Sequence, residues 1–327
     1  MSRNNQRPGN APETGGSVTS TETRGAGIGF IILAVLVSFV AVWMYVQGRQ
    51  ALREEVRAVN ASPVSISGFR SDLWQLPEEQ LLGFVEIPAG EFLMGSDPGV
   101  DRQAYANERW SATRQQGTVD LPRFFLARYE VTVAQYRAFI EDTGHPFVPE
   151  ALANEPDHPV ANITWTDALA YCRWLQERLL AAEETPSALR ELLLAGWRIT
   201  LPTEAQWEKA ARGTAGTVYP WGNQLTGNRA NFNSDQTRPV GSFPCPDCNY
   251  GLADMSGNVW ELTRSPYQPY PYTTADDGAN LEQDALWVMR GGSYADGPAN
   301  IRCAVRGGVD PGVRNPTIGF RLALSPG

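Results

Sequence analysis

One segment combines several residue types that can do chemistry, "RGGSYADGPANIRCAVRGG", which runs from Arg290 to Gly308. It holds one cysteine, Cys303, between two Arg-Gly-Gly triplets. Glycine permits turns and close approach of the backbone, while arginine suits paired or anionic surroundings. The pattern is compatible with an active site, with a structural corner, or with an active site that has lost its chemistry.

The other candidate groups are few. The chain has two histidines, His145 and His158, and both lie in one polar segment, which argues against a histidine-rich metal centre. The motif "CPDC", Cys245 to Cys248, has the spacing of a local disulfide, of half a zinc site, or of a redox dithiol. We favour the local disulfide, because the sequence lacks a second such motif and a thioredoxin-like βαβ pattern.

The overall composition indicates a globular protein with many ordered loops. The chain has 327 residues, of which 42% are hydrophobic and 19% are charged. Its 31 glycines, 24 prolines and 10 tryptophans predict turns stabilised by buried aromatic side chains. The net charge of −9 argues against a nucleic-acid partner, because there is no basic excess to neutralise phosphate.

An uncharged stretch near the N-terminus, residues 27–47, predicts a transmembrane helix of about 20 residues, the length that spans a bilayer. Trp43 and Tyr45 lie near its C-terminal end, as interfacial aromatic residues do. A cleaved signal peptide is the alternative, but the apolar run is too long and follows a polar head. We expect residues 1–26 to be disordered and residues 48–82 to form a juxtamembrane helix and a linker.

The remaining residues, 83–327, form one predicted domain with helices in its first half and turn signals in its second. Alternating apolar and polar residues predict strands within 83–96 and 123–132. Helical periodicity and terminal glycines predict four helices. These helices fall within residues 131–144, 164–180, 184–197 and 201–213. Thr164 or Thr166 is the expected N-cap of the second helix.

Nine blocks of this domain occur in a characteristic order. They are "IPAGEFLMGS", "YEVTVAQYRAF", "HPVANITWTDALAYCRWL", "LPTEAQWEKAARG", "YPWGN", "GLADMSGNVWELT", "RGGSY", "RCAVR" and "GFRLAL". The series resembles the formylglycine-generating enzyme family, also called the sulfatase-modifying-factor family, over residues 83–325. The resemblance implies an α+β, C-type-lectin-like fold with much irregular structure. It also implies loops held by calcium ions and residence outside the cytosol.

The membrane orientation depends on this resemblance. Positive residues before and after the apolar span are balanced, so the positive-inside rule does not choose a side. Because the resemblance implies an extracytoplasmic domain, we expect the N-terminus inside and the C-terminal domain outside. The expected location is a bacterial inner membrane, spanned once, with the C-terminal domain in the periplasm.

The resemblance also implies a chemistry. Enzymes of this family oxidise a sulfatase cysteine to formylglycine with molecular oxygen and one copper(I) ion, which two cysteine thiolates hold between the "RGGSY" and "RCAVR" blocks. Here that stretch, residues 295–301, has no cysteine, and Asp296 stands where the first ligand is expected. A hard carboxylate is a poor ligand for copper(I), so copper is not expected. Ser293 and Tyr294 match positions that line the family's substrate groove and, with Asp296, form the candidate groove.

Other positions receive structural roles from the resemblance. Cys172 and Cys303 match half-cystines whose partner positions are Leu322 and Ala211 here, so we expect two buried free thiols. Four arginines of the matching blocks are expected to tie loops together through buried contacts with carboxylates and carbonyls. They are Arg290, Arg302, Arg306 and Arg321.

Two calcium sites are implied as well, since hard oxygen ligands on tight turns suit this ion. The first set of ligands is Asp254, Gly257, Val259 and Glu261. The second set is Asn231, Phe232 and Asp235.

Two functions remain open from the sequence. The first is a membrane-anchored binding, accessory or maturation module, without copper-dependent oxidase activity, that binds a protein or peptide partner in the cell envelope. The alternative is a formylglycine-generating oxidoreductase that converts a sulfatase cysteine to formylglycine. The iron-dependent sulfoxide synthases that share this domain carry an additional histidine-rich helical domain, for which the residues before position 83 leave no room.

Overall fold

The structure is a computed structural model that describes residues 24–58, 66–277, 281–282 and 284–327. The predicted disordered head, residues 1–26, lies almost entirely outside the described residues. The chain divides into two units, Met1–Glu54 and Glu55–Gly327.

Helix α1, Arg24–Ala58, is 35 residues long and lies in the N-terminal unit as far as Glu54. It includes the predicted span 27–47 and the helical start of the predicted juxtamembrane segment. Within it, Ile32–Ala51 has a mean hydropathy of 1.7 and none of its residues is buried. Twenty helical residues extend about 30 Å, so this helix is long and apolar enough to cross a membrane.

Four further helices lie in the described part of the second unit, and all four were predicted. They are α2 (Val133–Thr143), α3 (Trp165–Ala181), α4 (Ser187–Leu194) and α5 (Glu204–Arg212). Thr132, Thr164 and Thr203 begin α2, α3 and α5 with capping boxes, in which each threonine side chain accepts the N3 backbone N–H. The second predicted helix therefore uses Thr164, and not Thr166, as its N-cap.

The strands are short. They are β1 (Phe69–Arg70), β2 (Leu76–Pro77), β3 (Phe84–Ile87), β4 (Gly90–Met94), β5 (Gly117–Leu121), β6 (Phe124–Ala127), β7 (Trp197–Thr200), β8 (Trp260–Pro266), β9 (Trp287–Arg290), β10 (Arg306–Val309), β11 (Ile318–Gly319) and β12 (Ala323–Pro326). The predicted strand region 83–96 is divided into β3 and β4 at Pro88, which lacks the N–H that a continuous ladder needs.

Two four-stranded sheets organise the domain. One has the order β3-β6-β12-β7 and is antiparallel throughout. The other has the order β10-β9-β8-β11, in which β11 runs parallel to β8. Strands β4 and β5 form a separate hairpin. This arrangement agrees with the predicted α+β fold that contains much irregular structure.

The largest hydrophobic cluster reaches back into the segment assigned to the linker. Leu73 and Leu76 are buried within this cluster, next to side chains of α2 and α3 such as Phe139 and Trp174. Leu76 belongs to the strand pair β1–β2, and Leu73 lies in the short 3-10 helix that connects the two strands. The packed domain therefore begins before residue 83. Its first strands have only two residues each, too few to show the alternation by which a strand is recognised.

We predict that Leu73→Ala lowers the free energy of unfolding by about 2–5 kcal/mol, because Leu73 is 0% exposed and its removal leaves a cavity. Leu194→Ala is the matched control, since Leu194 is 71% exposed and should change the stability by less than about 0.5 kcal/mol. Chemical denaturation of the full chain in detergent, followed by tryptophan fluorescence, measures both. Equal effects of the two variants would contradict the inclusion of residues 69–77 in the core.

Candidate functional site

The arginines that begin the two Arg-Gly-Gly triplets lie opposite one another in an antiparallel strand pair. Arg290 ends β9, and its register partner Arg306 begins β10. The chain leaves β9 through Gly291 and Gly292, whose φ angles of 95° and 72° are in the left-handed region. A Cβ atom at Gly292 would lie 2.4 Å from the carbonyl oxygen of Asn300. The glycines are therefore required by the turn that follows β9.

Asp296 is the hydrogen-bonding centre of the 291–305 loop, which joins β9 to β10. Its Oδ2 accepts the indole N–H of Trp260 at 2.9 Å. The same oxygen accepts the backbone N–H of Ser293 at 3.0 Å and its hydroxyl at 2.5 Å. Its Oδ1 accepts the side-chain amide of Asn300 at 2.7 Å. A carboxylate has about four acceptor positions, two on each oxygen, so these donors fully occupy Oδ2 and leave one position on Oδ1 of the half-buried Asp296.

The candidate groove is consequently only partly open. Ser293 is 1% exposed, and its hydroxyl is committed to Asp296. Tyr294 is half-buried, and its backbone bonds to Asn258 and Ser234 at 2.9 and 2.8 Å. Ser293 and Asp296 are thus close together, as predicted, but the Ser293 hydroxyl and the Asp296 carboxylate bind each other. Among the three predicted groove residues, the side chain of Tyr294 is the one left to face a ligand.

The residues of this loop do not fit copper(I), which prefers two thiolates. No cysteine lies between Arg290 and Arg302. Cys303 is 0% exposed, and burial raises the pKa of its thiol to about 12. Cys172 is buried in a different hydrophobic cluster, and burial raises its pKa still further. Both thiols are free, and neither is available as a thiolate at the loop surface.

The CPDC motif forms a local disulfide, which is the alternative that we favoured from the sequence. Cys245 and Cys248 are joined in a disulfide.

Across the described residues, no group of three or more His, Cys, Asp or Glu side chains is placed to hold a metal ion.

The two predicted calcium sets lie side by side. Asn231 of the second set and Gly257 of the first set form a parallel β-bridge. The N–H of Asn258 also donates to the carbonyl of Asn231 at 2.8 Å. Asp254 and Gly257 adopt left-handed φ angles of 54° and 76°, and Val259 is fully buried. The turn around "DMSGNVWE" is therefore tight and rigidly connected to the neighbouring loop.

Glu261 does not fit the role of a calcium ligand in this geometry. Arg321 donates to both of its carboxylate oxygens at 2.5 Å, and the indole of Trp207 donates to Oε2 at 2.6 Å. All three side chains are fully buried, so a guanidinium already neutralises Glu261. In the second set, Asp235 is exposed and Phe232 is half-buried.

A further buried carboxylate, Glu130, adjoins the first calcium set, and the sequence analysis did not single it out. Its Oε1 accepts the side-chain amide of Asn258 at 3.1 Å, whereas its buried Oε2 has no hydrogen-bond partner. Burial and the nearby charge of Asp254 raise the pKa of Glu130. Burial also raises the pKa of Asp254 to about 6. Glu130, Asp254 and Glu261 are thus three buried carboxylates that interact electrostatically with a single arginine, Arg321.

The four arginines expected to tie loops together are all buried in ion pairs. Their partners are Glu208 for Arg290, Asp101 and Glu108 for Arg302, Glu204 for Arg306, and Glu261 for Arg321. Sequence analysis did not identify these partners. The sequence did contain a sign that Glu204 and Glu208 act together. They are four positions apart on α5 and therefore lie on one face of this helix. That face of α5 points toward β9 and β10.

Comparison with known proteins agrees with these features. Residues 70–326 match the sulfatase-modifying factor enzyme 1-like domain. The chain belongs to the sulfatase-modifying factor family. The match begins at residue 70, which agrees with the placement of β1 and β2 in the packed domain.

Relatives of this chain in the sulfatase-modifying factor family include one protein named as inactive and one named as an enzyme. A Mus musculus protein named inactive C-alpha-formylglycine-generating enzyme 2 is 31% identical over 77% of this chain and 89% of its own. A Thermomonospora curvata protein named formylglycine-generating enzyme is 28% identical over 76% of this chain and 96% of its own. The solved structure of PvdO from Pseudomonas aeruginosa has a TM-score of 0.59 at 24% identity, covering 74% of this chain and 94% of PvdO. That last similarity confirms the family fold.

We predict that Asp296→Ala lowers the free energy of unfolding by about 2–4 kcal/mol, because it leaves the donors of Trp260 and Ser293 without an acceptor. The exposed Asp284 provides the control, whose change to alanine should alter stability by less than about 0.5 kcal/mol. Chemical denaturation measures both variants. If Asp296→Ala left the protein unchanged or more stable, Asp296 would be a ligand-binding group rather than a structural centre.

Proposed function

We propose that this chain is a membrane-anchored binding, accessory or maturation module of the cell envelope that lacks copper-dependent formylglycine oxidase activity. The observation that carries the proposal is the position of Asp296, which stands where the first copper ligand is expected and accepts four hydrogen bonds from the protein. The remaining thiols are buried and protonated at neutral pH. The name of the Mus musculus relative, which describes that protein as inactive, supports the same conclusion.

An aromatic surface around the 291–305 loop supports a binding role. Tyr105 is 44% exposed, and its hydroxyl donates to Asn300 at 2.9 Å. The half-buried Trp221 stacks on the buried Tyr219 with ring centroids 5.4 Å apart. The Tyr219 hydroxyl anchors this pair to the loop by donating to the carbonyl of Pro298 at 3.4 Å. Anchored aromatic side chains lose little entropy on binding and are enriched at protein interfaces. A protein or peptide partner fits this surface better than a nucleic acid, given the net charge of −9.

The membrane location is part of the same proposal. Helix α1 is long and apolar enough to span a bilayer once. The Cys245–Cys248 disulfide favours an oxidising compartment for the family domain. We therefore propose that the N-terminus lies inside and that the domain lies in the periplasm, anchored in a bacterial inner membrane.

Formylglycine-generating oxidase activity is the second candidate. The observation that favours it is the similarity to the Thermomonospora curvata protein that carries that name. Such an activity in this chain would need a way to hold copper without the two loop thiolates.

We predict that the full chain, solubilised in detergent and supplied with copper(I), leaves the cysteine of a Cys-x-Pro-x-Arg peptide unchanged, because no thiolate pair holds the metal. Mass spectrometry of the peptide provides the measurement, with the Thermomonospora curvata protein as a parallel sample. Exchange of the cysteine sulfur for an aldehyde oxygen by this chain would support the oxidase and overturn the binding role as its main function.

We further predict that an alkaline phosphatase fused to the C-terminus of the full chain is active in a bacterial host, because this enzyme folds only where its disulfides form. A fusion to a variant without residues 27–47 is the control and should be inactive. An inactive fusion to the intact chain, at equal expression, would place the domain in the cytosol.

We also propose a structural calcium ion, held by a set of side chains that differs from the set implied by the resemblance. We propose that Asp254 and Glu130 supply the carboxylates, and that carbonyls of the tight turn complete the ligands. The unpartnered Oε2 of Glu130 supports this assignment, because a buried oxygen without a partner costs free energy. Glu261 is left to its ion pair with Arg321.

We predict a saturable rise in the midpoint of thermal unfolding when calcium is added to the chelator-treated full chain, because a cation relieves the repulsion between Glu130 and Asp254. The rise should be smaller in Glu130→Gln and unchanged in Glu150→Gln, whose side chain is exposed. Identical midpoints with calcium and with chelator would contradict the proposal.

A further inference from the structure

The Cys245–Cys248 disulfide lies in an exposed segment that is not part of the proposed binding surface. The flanking residues Pro244, Pro246 and Asp247 are exposed. Cys245 is half-buried, whereas Cys248 is 9% exposed. An incoming thiol can therefore approach the sulfur of Cys245 more easily than that of Cys248.

A positive charge lies beside the more accessible sulfur. Arg229, which comes from a different loop, places its Nη1 3.5 Å from the Sγ atom of Cys245. The same guanidinium is paired with Asp247, which fixes its position. The Asp247 carboxylate lies 4.0 Å from the same sulfur and opposes part of the effect of Arg229, which is the nearer of the two charges. A neighbouring cation favours the thiolate over the thiol, and the thiolate is the reactive form. In the reduced state, Cys245 is thus better placed than Cys248 to act as the nucleophile.

The turn does not depend on the disulfide for its shape. The N–H of Cys248 donates to the carbonyl of Cys245 at 3.0 Å. The side-chain amide of Asn249 holds the carbonyls of Ala211 and Pro220, both at 3.3 Å. The disulfide also closes a very short loop, with a sequence separation of 3, and short loops gain the least from cross-linking. The bond can therefore open while the domain remains folded.

The remaining cysteines cannot serve as internal exchange partners. Cys172 and Cys303 are free but fully enclosed in separate hydrophobic clusters. Burial raises the pKa of both thiols, which suppresses their thiolate forms. Any exchange at the Cys245–Cys248 pair must involve a thiol of another molecule.

We propose that the Cys245–Cys248 pair carries out thiol–disulfide exchange with an external dithiol or a glutathione-type thiol, with Cys245 as the exchanging sulfur. An incoming thiolate attacks the Sγ atom of Cys245, the bond between the two cysteines breaks, and Cys248 leaves as a thiolate that takes a proton from water. A second external thiolate then displaces Cys245 from the mixed disulfide. The cysteine pair gains two electrons, and the external thiols are oxidised to their disulfide.

The experiment equilibrates the folded full chain in detergent with glutathione buffers of graded composition, then quenches with acid and alkylates the thiols. Peptide mass spectrometry reads each cysteine separately. Cys172 and Cys303 are internal controls, because their labelling would report unfolding. We expect Cys245 and Cys248 to become labelled in reducing buffer while the two buried thiols stay protected.

Variants test the assigned roles. Cys248→Ser should accumulate a glutathione mixed disulfide at Cys245, and Cys245→Ser should accumulate little. Arg229→Gln should slow the reaction of reduced Cys245 with a disulfide probe by about three- to tenfold, because it lowers the thiolate fraction. Arg229→Lys keeps the charge and should retain most of the rate, and the exposed Arg102→Gln is the matched control. The proposal is overturned if the pair is reduced only together with labelling of Cys172 and Cys303. It is also overturned if Arg229→Gln and Arg102→Gln react at the same rate.

Discussion

The ion pair between Arg290 and Glu208 is the interaction on which the second sheet and its loop depend. Both side chains are fully buried, and Arg290 also donates to the carbonyls of Ala304 and Val305 at 2.8 and 2.7 Å. Burial alone would raise the pKa of Glu208, but Arg290 and Arg212 outweigh burial and lower it. Removing either charge of such a pair would leave the other unpaired in a low-dielectric interior, at a cost of about 3–5 kcal/mol.

The same principle fixes both ends of the 291–305 loop. Arg302 is paired with Glu108 and Arg306 with Glu204, so the path of the loop is set by buried charges that come from distant parts of the chain. Asp296 then organises the interior of the loop through neutral donors. A loop held in this way needs no metal for its shape. This explains how the family fold can persist in a chain that has no cysteine at residues 295–301, since fold and chemistry depend on different residues.

The sequence was sufficient for features that depend on local pattern. The helices followed from periodicity, from terminal glycines and from a threonine cap at the second helix, and the order of the nine blocks led to the family. Contacts between distant residues could not be read in this way. Arg302 and Glu108 are 194 positions apart, and nothing in either neighbourhood pairs them. The structural role of Asp296 could not be predicted from the sequence either, because one of its donors is the indole of Trp260, which lies on β8.

The most direct test of the account is a copper(I) titration of the folded full chain against a chromogenic chelator. Because the Asp296 carboxylate is a poor copper(I) ligand that the protein already binds through four hydrogen bonds, and because Cys303 is enclosed, we predict that the chain withdraws no stoichiometric copper from the chelator. One tightly bound copper ion per chain, lost in a Cys303→Ser variant that remains folded, would contradict it. Such a result would mean that the loop opens to present a thiolate and that the oxidase chemistry of the family survives in this chain.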